Sequence, residues 1–272
     1  MTVPILGKRK ELIVQFLTHH GCLTTTHIAT LLQLSKADTQ NVLQSLQGKE
    51  KYVRCTRIGT PLVGVWQLTD LARKKFPCTA DNICNRFASH WICANSVGLQ
   101  FFHAAQKRGD ECGPLWWTHE VNHTWGNGRT LSTDLVLDYE TAHPDGKWAS
   151  DRYLVEVDRG TRSTQRLLDQ LERYAQYYDS GAWDANRKDT PGPYNNWPRI
   201  LTVCCDQPPE TTEKKIRRLL QLAQRTSILS PEIGCHITSY SKLATHGPHS
   251  EIWHPIPSNP DNTPTRFDTR II

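Results

Sequence analysis

Glu156 and Asp158 close a short apolar run, Tyr153 to Asp158, and an amphipathic segment begins almost at once after them. In a strand, side chains at i and i+2 project from the same face, so the two carboxylates would point together. Asp134 opens another strand-like run that continues to Tyr139. Three carboxylates gathered at the ends of neighbouring strands make an oxygen-rich site, and hard oxygen donors are what Mg²⁺ or Mn²⁺ takes. The same spacing also fits solvated carboxylates at strand ends, and spacing alone leaves both readings open.

The elements that must position these residues follow from periodicity and turn chemistry. Residues 83–108 read as a long helix with Trp91, Ile92, Val97, Leu99, Phe101 and Phe102 on its buried side. Three extended runs follow, over 115–122, 130–139 and 152–158, with turns at Gly126-Asn127-Gly128 and Pro144-Asp145-Gly146. A helix over 163–178 carries Leu167, Leu168, Leu171, Tyr174, Ala175 and Tyr178 on one face. A loop, a strand over 200–205, a basic amphipathic helix over 210–226 and a strand over 236–240 complete the body. Such an order closes naturally as a mixed sheet flanked by helices, an α/β (α+β) architecture.

The first 80 residues differ in charge and pattern. They hold 11 Lys/Arg against 4 Asp/Glu, a net +7, while the remainder is near neutral at −2. Helices are expected over 8–19, from a cap at Thr24 or Thr25, and from a cap at Ser35 to Gly48. Two extended runs, 52–55 and 63–68, flank Gly59-Thr60-Pro61. Three short helices and a two-stranded ribbon are the order of a winged helix-turn-helix, whose third helix enters the major groove. Lys36, Gln40 and Gln44 would line that helix, with Lys49, Lys51, Arg54 and Arg57 at or near the wing. Lys and Arg neutralise phosphates there, and Gln reads adenine edges. Winged helices also serve as protein-interaction modules, but the clustered charge favours double-stranded DNA.

Domain boundaries are therefore expected at 1–78 for the head and 83–242 for the body, with a hinge around Pro77 to Asn82 and a Pro/Asn-rich tail over 243–272. With 38% hydrophobic and 22% charged residues the chain has an ordinary globular composition, and no run is long enough to span a bilayer. Lys8-Arg9-Lys10 is not followed by the apolar segment of a secretory leader. The nine cysteines are scattered without a Cys-x-x-Cys pair, which fits reduced thiols and a cytoplasmic location. Glu120 is a further carboxylate candidate. His119 and His123 lack a third soft ligand and read as core or surface histidines, and Trp116, Trp117 and Trp125 read as packing residues.

An Asp opening the second body strand, Glu-x-acidic ending the third, and Gln170-x-x-x-Tyr174 on the next helix resemble the restriction-endonuclease-like, or PD-(D/E)XK, fold. More narrowly, the winged-helix head followed by Glu156-Val-Asp158-Arg159-Gly160-Thr161 resembles the replication-relaxation family, over roughly residues 8–225. That family occurs on plasmids and integrating elements and is implicated in plasmid DNA relaxation and replication. The resemblance implies a catalytic-type cluster of Asp134, Glu156, Asp158, Gln170 and Tyr174. Asp134, Glu156 and Asp158 would be the Mg²⁺ or Mn²⁺ ligands, and Gln170 with Tyr174 would hold a phosphate. Two departures stand out. Thr133 precedes Asp134 where Pro is usual, and Asp158 stands where the nuclease pattern has a Lys that orients water and offsets developing charge. The nearest cations are expected to be Arg159 and Arg173, which are too basic to act as a general base and are assigned to DNA contact.

The expected function is that of a DNA-binding protein of a mobile element, acting in replication, relaxation or mobilisation, with a nuclease-like body. One alternative is an active Mg²⁺- or Mn²⁺-dependent nuclease or nickase. Another is a transcription regulator whose nuclease-like body serves oligomerisation. The partners these readings call for are double-stranded DNA, a relaxase or replication initiator, and a second copy of the chain.

Overall fold

A computed structural model of the chain describes residues 6–58, 62–76, 85–226, 229 and 231–256, the side chains at 85, 86 and 231 aside. The expected wing turn at 59–61 and the hinge at 77–82 lie outside the described residues. The chain divides into two compact units, Met1–Leu99 with Gly113–His119, and Gln100–Cys112 with Glu120–Ile272. The expected division at 78–83 and the observed one differ because the long helix α5 (Asn85–Arg108) contributes to both.

In the first unit, α1 (Lys8–His20), α2 (Thr25–Leu32) and α3 (Lys36–Gly48) precede a hairpin of β2 (Val53–Ile58) and β3 (Val63–Leu68). The helices start where hydroxyls can satisfy first-turn amides. Thr24 accepts from His27 N at 3.1 Å and Ser35 from Asp38 N at 3.0 Å. Ile13, Phe16 and Leu17 of α1, Ile28 and Leu31 of α2, and Leu43 and Leu46 of α3 are buried. A strand not legible in the sequence, β1 (Cys22–Thr24), pairs antiparallel with β3, giving the sheet order β1-β3-β2. Its three residues are all buried, so no polar alternation marks them. A short helix, α4 (Asp70–Lys75), follows β3, capped by Thr69.

The second unit is built on a six-stranded mixed sheet of order β4-β5-β6-β7-β8-β9. Its strands are β4 (Trp117–Trp125), β5 (Arg129–Ala142), β6 (Trp148–Asp158), β7 (Arg199–Cys204), β8 (Cys235–Ser239) and β9 (His254–Ile256). The β5–β6 pair is antiparallel, β6–β7–β8 run parallel, and β9 is antiparallel to β8. The helices α6 (Thr164–Asp179) and α7 (Pro209–Thr226) connect the parallel strands, as parallel pairing requires. Leu167, Leu168 and Leu171 of α6 and Ile216, Leu219 and Leu220 of α7 form one core cluster with Leu154 and Ile200 of the sheet. Tyr153, one residue from Leu154, projects from the opposite face and meets Phe101 at 5.3 Å between ring centres. The expected tail at 243–272 is structured at its start, where α8 (Tyr240–His246) and β9 lie. No helix among the described residues is long and apolar enough to cross a membrane.

Candidate active site

Pairing across β5 and β6 sets Leu135 against Val155, which brings the next residues outward, Asp134 and Glu156, side by side. Asp134 Oδ2 accepts the Val157 amide at 2.7 Å, so this carboxylate is held by the neighbouring strand's backbone. Glu156 and Asp158 share the α6–α7 face, and both are almost completely buried. Burying a carboxylate is costly unless its oxygens find donors. The loop between β6 and α6 supplies many of them.

Gly160 adopts φ 79°, a left-handed conformation, and a Cβ there would stand 2.1 Å from the Gln207 side chain, so glycine is required for the turn. Asp158 Oδ1 accepts the amides of Gly160 at 3.2 Å and Arg162 at 3.4 Å, closing the loop on itself. Ser163 then caps α6 by accepting from Arg166 N. The turn throws Arg162 back over the strand ends. Its guanidinium donates to Glu156 Oε2 at 2.8 Å and lies 3.7 Å from Asp134 Oδ1. From α6, Tyr174 donates to Glu156 Oε1 at 2.7 Å and Gln170 Nε2 to the same oxygen at 3.2 Å. Tyr174 Oη also lies 2.9 Å from the buried Thr133 hydroxyl, so the residue before Asp134 braces the tyrosine.

Charge follows geometry. Burial, then the neighbouring Asp134 charge, push the Glu156 carboxyl up to about 7, with Arg162 and Tyr174 opposing. Burial works against the charge on Arg162, yet Asp134 and Glu156 together hold its guanidinium above its ordinary value. Burial and the Glu156 charge likewise hold the Tyr174 phenol protonated. Glu156 thus takes up its proton near neutral pH beside the Asp134 carboxylate, with one guanidinium standing against both.

Asp158 takes a different partner. Its Oδ2 receives Lys215 Nζ of α7 at 2.5 Å, and the same ammonium donates to the Arg162 carbonyl at 2.6 Å. Arg159 and Arg173 were the expected nearest cations; the geometry puts Arg162 and Lys215 there. Arg159 pairs with Asp206 at 2.7 Å, and Arg173 is exposed on α6. Gln170 and Tyr174, implied to hold a phosphate, both donate to Glu156 Oε1. Glu120 is exposed on β4. His119 stacks on Trp91 at 4.3 Å and bonds Asn95, while His123 stacks on Tyr177 at 5.3 Å; burial keeps both neutral.

Among the described residues, no three His, Cys, Asp or Glu side chains gather as a metal-holding group. Asp134 and Glu156 offer two carboxylates with the Arg162 cation against them, and Asp158 is committed to Lys215 and the loop amides. Arg162 supplies positive charge against the pair.

In the first unit, Lys36, Gln40 and Gln44 recur every four residues on α3 and so share one stripe. Lys36 and Gln44 are exposed, and Gln40 is half-buried, its Oε1 tied to Thr25 Oγ1 at 3.1 Å. Lys49 and Lys51 are exposed beyond the end of α3, and Arg54 and Arg57 are exposed on β2.

Residues 14–192, well over half of the chain, match the family described as replication-relaxation. The chain belongs to the replication-relaxation family. Membership points to a role in the replication or relaxation of mobile elements. No curated protein and no solved structure matches the chain. The match covers Asp134, the Glu156–Thr161 string, Arg162 and the Gln170–Tyr174 pair, and it ends before Lys215.

Proposed function

We propose that the chain is a DNA-binding member of its family in which the first unit acts as a winged helix-turn-helix on double-stranded DNA. The second unit is then a restriction-endonuclease-like, PD-(D/E)XK-type body whose carboxylate pair is closed by Arg162, and the protein serves replication or mobilisation as a catalytically silent factor. One observation carries the silence: the guanidinium 2.8 Å from Glu156 and 3.7 Å from Asp134 stands against the pair where a nuclease would bring a divalent cation. The polar stripe of Lys36, Gln40 and Gln44 on α3, with exposed Arg54 and Arg57 on β2, supports the docking role. Bound to DNA, those cations displace counterions, so affinity falls steeply with salt.

The test is fluorescence anisotropy of the full chain with a labelled duplex over a salt series. The expected result is salt-dependent binding that drops roughly tenfold in the Lys36→Ala/Arg54→Ala variant, with a shallower salt slope. A wild-type chain that leaves the duplex unbound at low salt overturns the reading.

A second reading, metal-dependent nicking, is favoured by Lys215, which α7 delivers to Asp158, a lysine from a neighbouring helix where the nuclease pattern's own lysine is missing. A divalent cation would supply Lewis-acid activation of a phosphodiester. Nicking of supercoiled plasmid by the wild type with Mn²⁺, lost in Glu156→Ala, would establish it over the silent form.

A further inference from the structure

Residues of the β6–α6 loop and of α7 line an open cavity of about 420 Å³. Arg162, Lys215 and Arg218 all line it, and no carboxylate does. Ser163, Thr164 and Gln165 also line it, so the N-terminal turn of the sixteen-residue helix α6 opens onto it. First-turn amides carry partial positive charge and donate to anions. Ser163 caps the Arg166 amide alone.

The cations differ in how far they are spent. Arg162 is matched by Asp134 and Glu156, and Lys215 by Asp158. Lys215 is nearly buried and fixed by two acceptors, Asp158 Oδ2 at 2.5 Å and the Arg162 carbonyl at 2.6 Å, which leaves one of its three donors. Arg218 is exposed one turn from Lys215, and no carboxylate pairs with it among the described salt bridges. A cavity walled by three cations and helix amides, with one cation uncompensated, is complementary to a tetrahedral oxyanion rather than to a metal or an apolar group.

We infer that this cavity is a phosphate-binding site formed by Arg218, Lys215 and the first turn of α6, and that its ligand is the phosphate of a nucleic-acid backbone or free phosphate. This deepens the DNA-binding reading on the backbone arm and is independent of it on the free-phosphate arm. Arg162 lines the cavity and also contacts Asp134 and Glu156, so a phosphate held there would compete with them for the same guanidinium.

Arg218→Glu in the full chain reverses the uncompensated charge at an exposed position and leaves the core of α7 untouched. Two measurements apply to it, the wild type and Lys36→Ala/Arg54→Ala: duplex affinity by anisotropy, and thermal stability with and without 20 mM inorganic phosphate at constant ionic strength, a concentration chosen to exceed roughly millimolar binding. If the backbone is the source, Arg218→Glu weakens duplex binding roughly fivefold or more and lowers the salt slope by about one. If free phosphate is the source, phosphate raises the melting temperature of the wild type but not of Arg218→Glu, and duplex affinity is unchanged. An Arg218→Glu chain equal to wild type in both measurements overturns the site. Failure here with loss of binding in Lys36→Ala/Arg54→Ala leaves the DNA-docking reading standing. A wild type that ignores DNA but responds to phosphate through Arg218 does the reverse.

Discussion

Replacing Glu156 by Gln isolates the cost of a buried carboxylate that geometry holds against Asp134. The amide keeps the size of the side chain and an oxygen for Tyr174 and Gln170; it removes the charge and turns the oxygen that accepts from Arg162 into a donor, a cost that does not vary with pH, so the pH dependence of the difference isolates the charge. Folding raises the Glu156 proton affinity from the ordinary 4.5 to about 7. At about 1.4 kcal/mol per tenfold change in affinity, this makes the ionised folded form costly by roughly 3 kcal/mol. The sign is that of a raised carboxyl. Below pH 4.5 both states are protonated and no penalty exists; it grows as the unfolded chain ionises and is complete above pH 7. Urea unfolding of wild type and Glu156→Gln at pH 5 and pH 8.5 should therefore show the variant gaining on the wild type by roughly 2–3 kcal/mol between the two values. A stability difference that is the same at both pH values to within about 0.5 kcal/mol would falsify the raised proton affinity of the buried Glu156.

Other perturbations read the remaining parts. Tyr174→Phe removes the hydroxyl between Glu156 and Thr133; a loss of about 1–2 kcal/mol in chemical denaturation is expected. Gly160→Ala forces a side chain into a left-handed turn against Gln207, and its cost of about 1–2 kcal/mol should be partly recovered in Gly160→Ala/Gln207→Ala. In the first unit, a Cβ at Gly98 would stand 2.7 Å from the Trp117 ring, so Gly98→Ala should cost about 1–3 kcal/mol by the same assay, and no change would mean the ring relaxes freely.

Much of the body was legible because its signals are local. The α6 face of Leu167, Leu168, Leu171, Tyr174 and Ala175 is a period-3.6 stripe and is buried as that stripe requires. The turns at Gly126, Gly128 and Gly146 all take positive φ, as their residue types foretold. The pairing of Asp134 with Glu156 was legible because both lie at matching ends of strand-like runs. Arg162 was not, since nothing periodic marks a residue placed by a single left-handed turn; Gly160 two positions before it was the signal available. Lys215 reaches Asp158 across 57 residues, through the parallel pairing of β6 with β7, and strand order is not written in any short window. The strand β9 escaped notice because three residues are too few to show alternation, and their partner lies in a separate segment.

That last strand has a practical consequence. Parallel strands at the centre of a sheet expose rows of unsatisfied amides and carbonyls wherever a neighbour is missing, and such rows recruit other chains. β9 pairs Cys235 with Ile256 and Ile237 with His254, covering the flank of β8 that would otherwise face outward. A chain cut after α8 would keep every residue of the carboxylate site, yet would carry an open apolar strand along its border. Self-association and insolubility, rather than lost chemistry, are what such a truncation should bring.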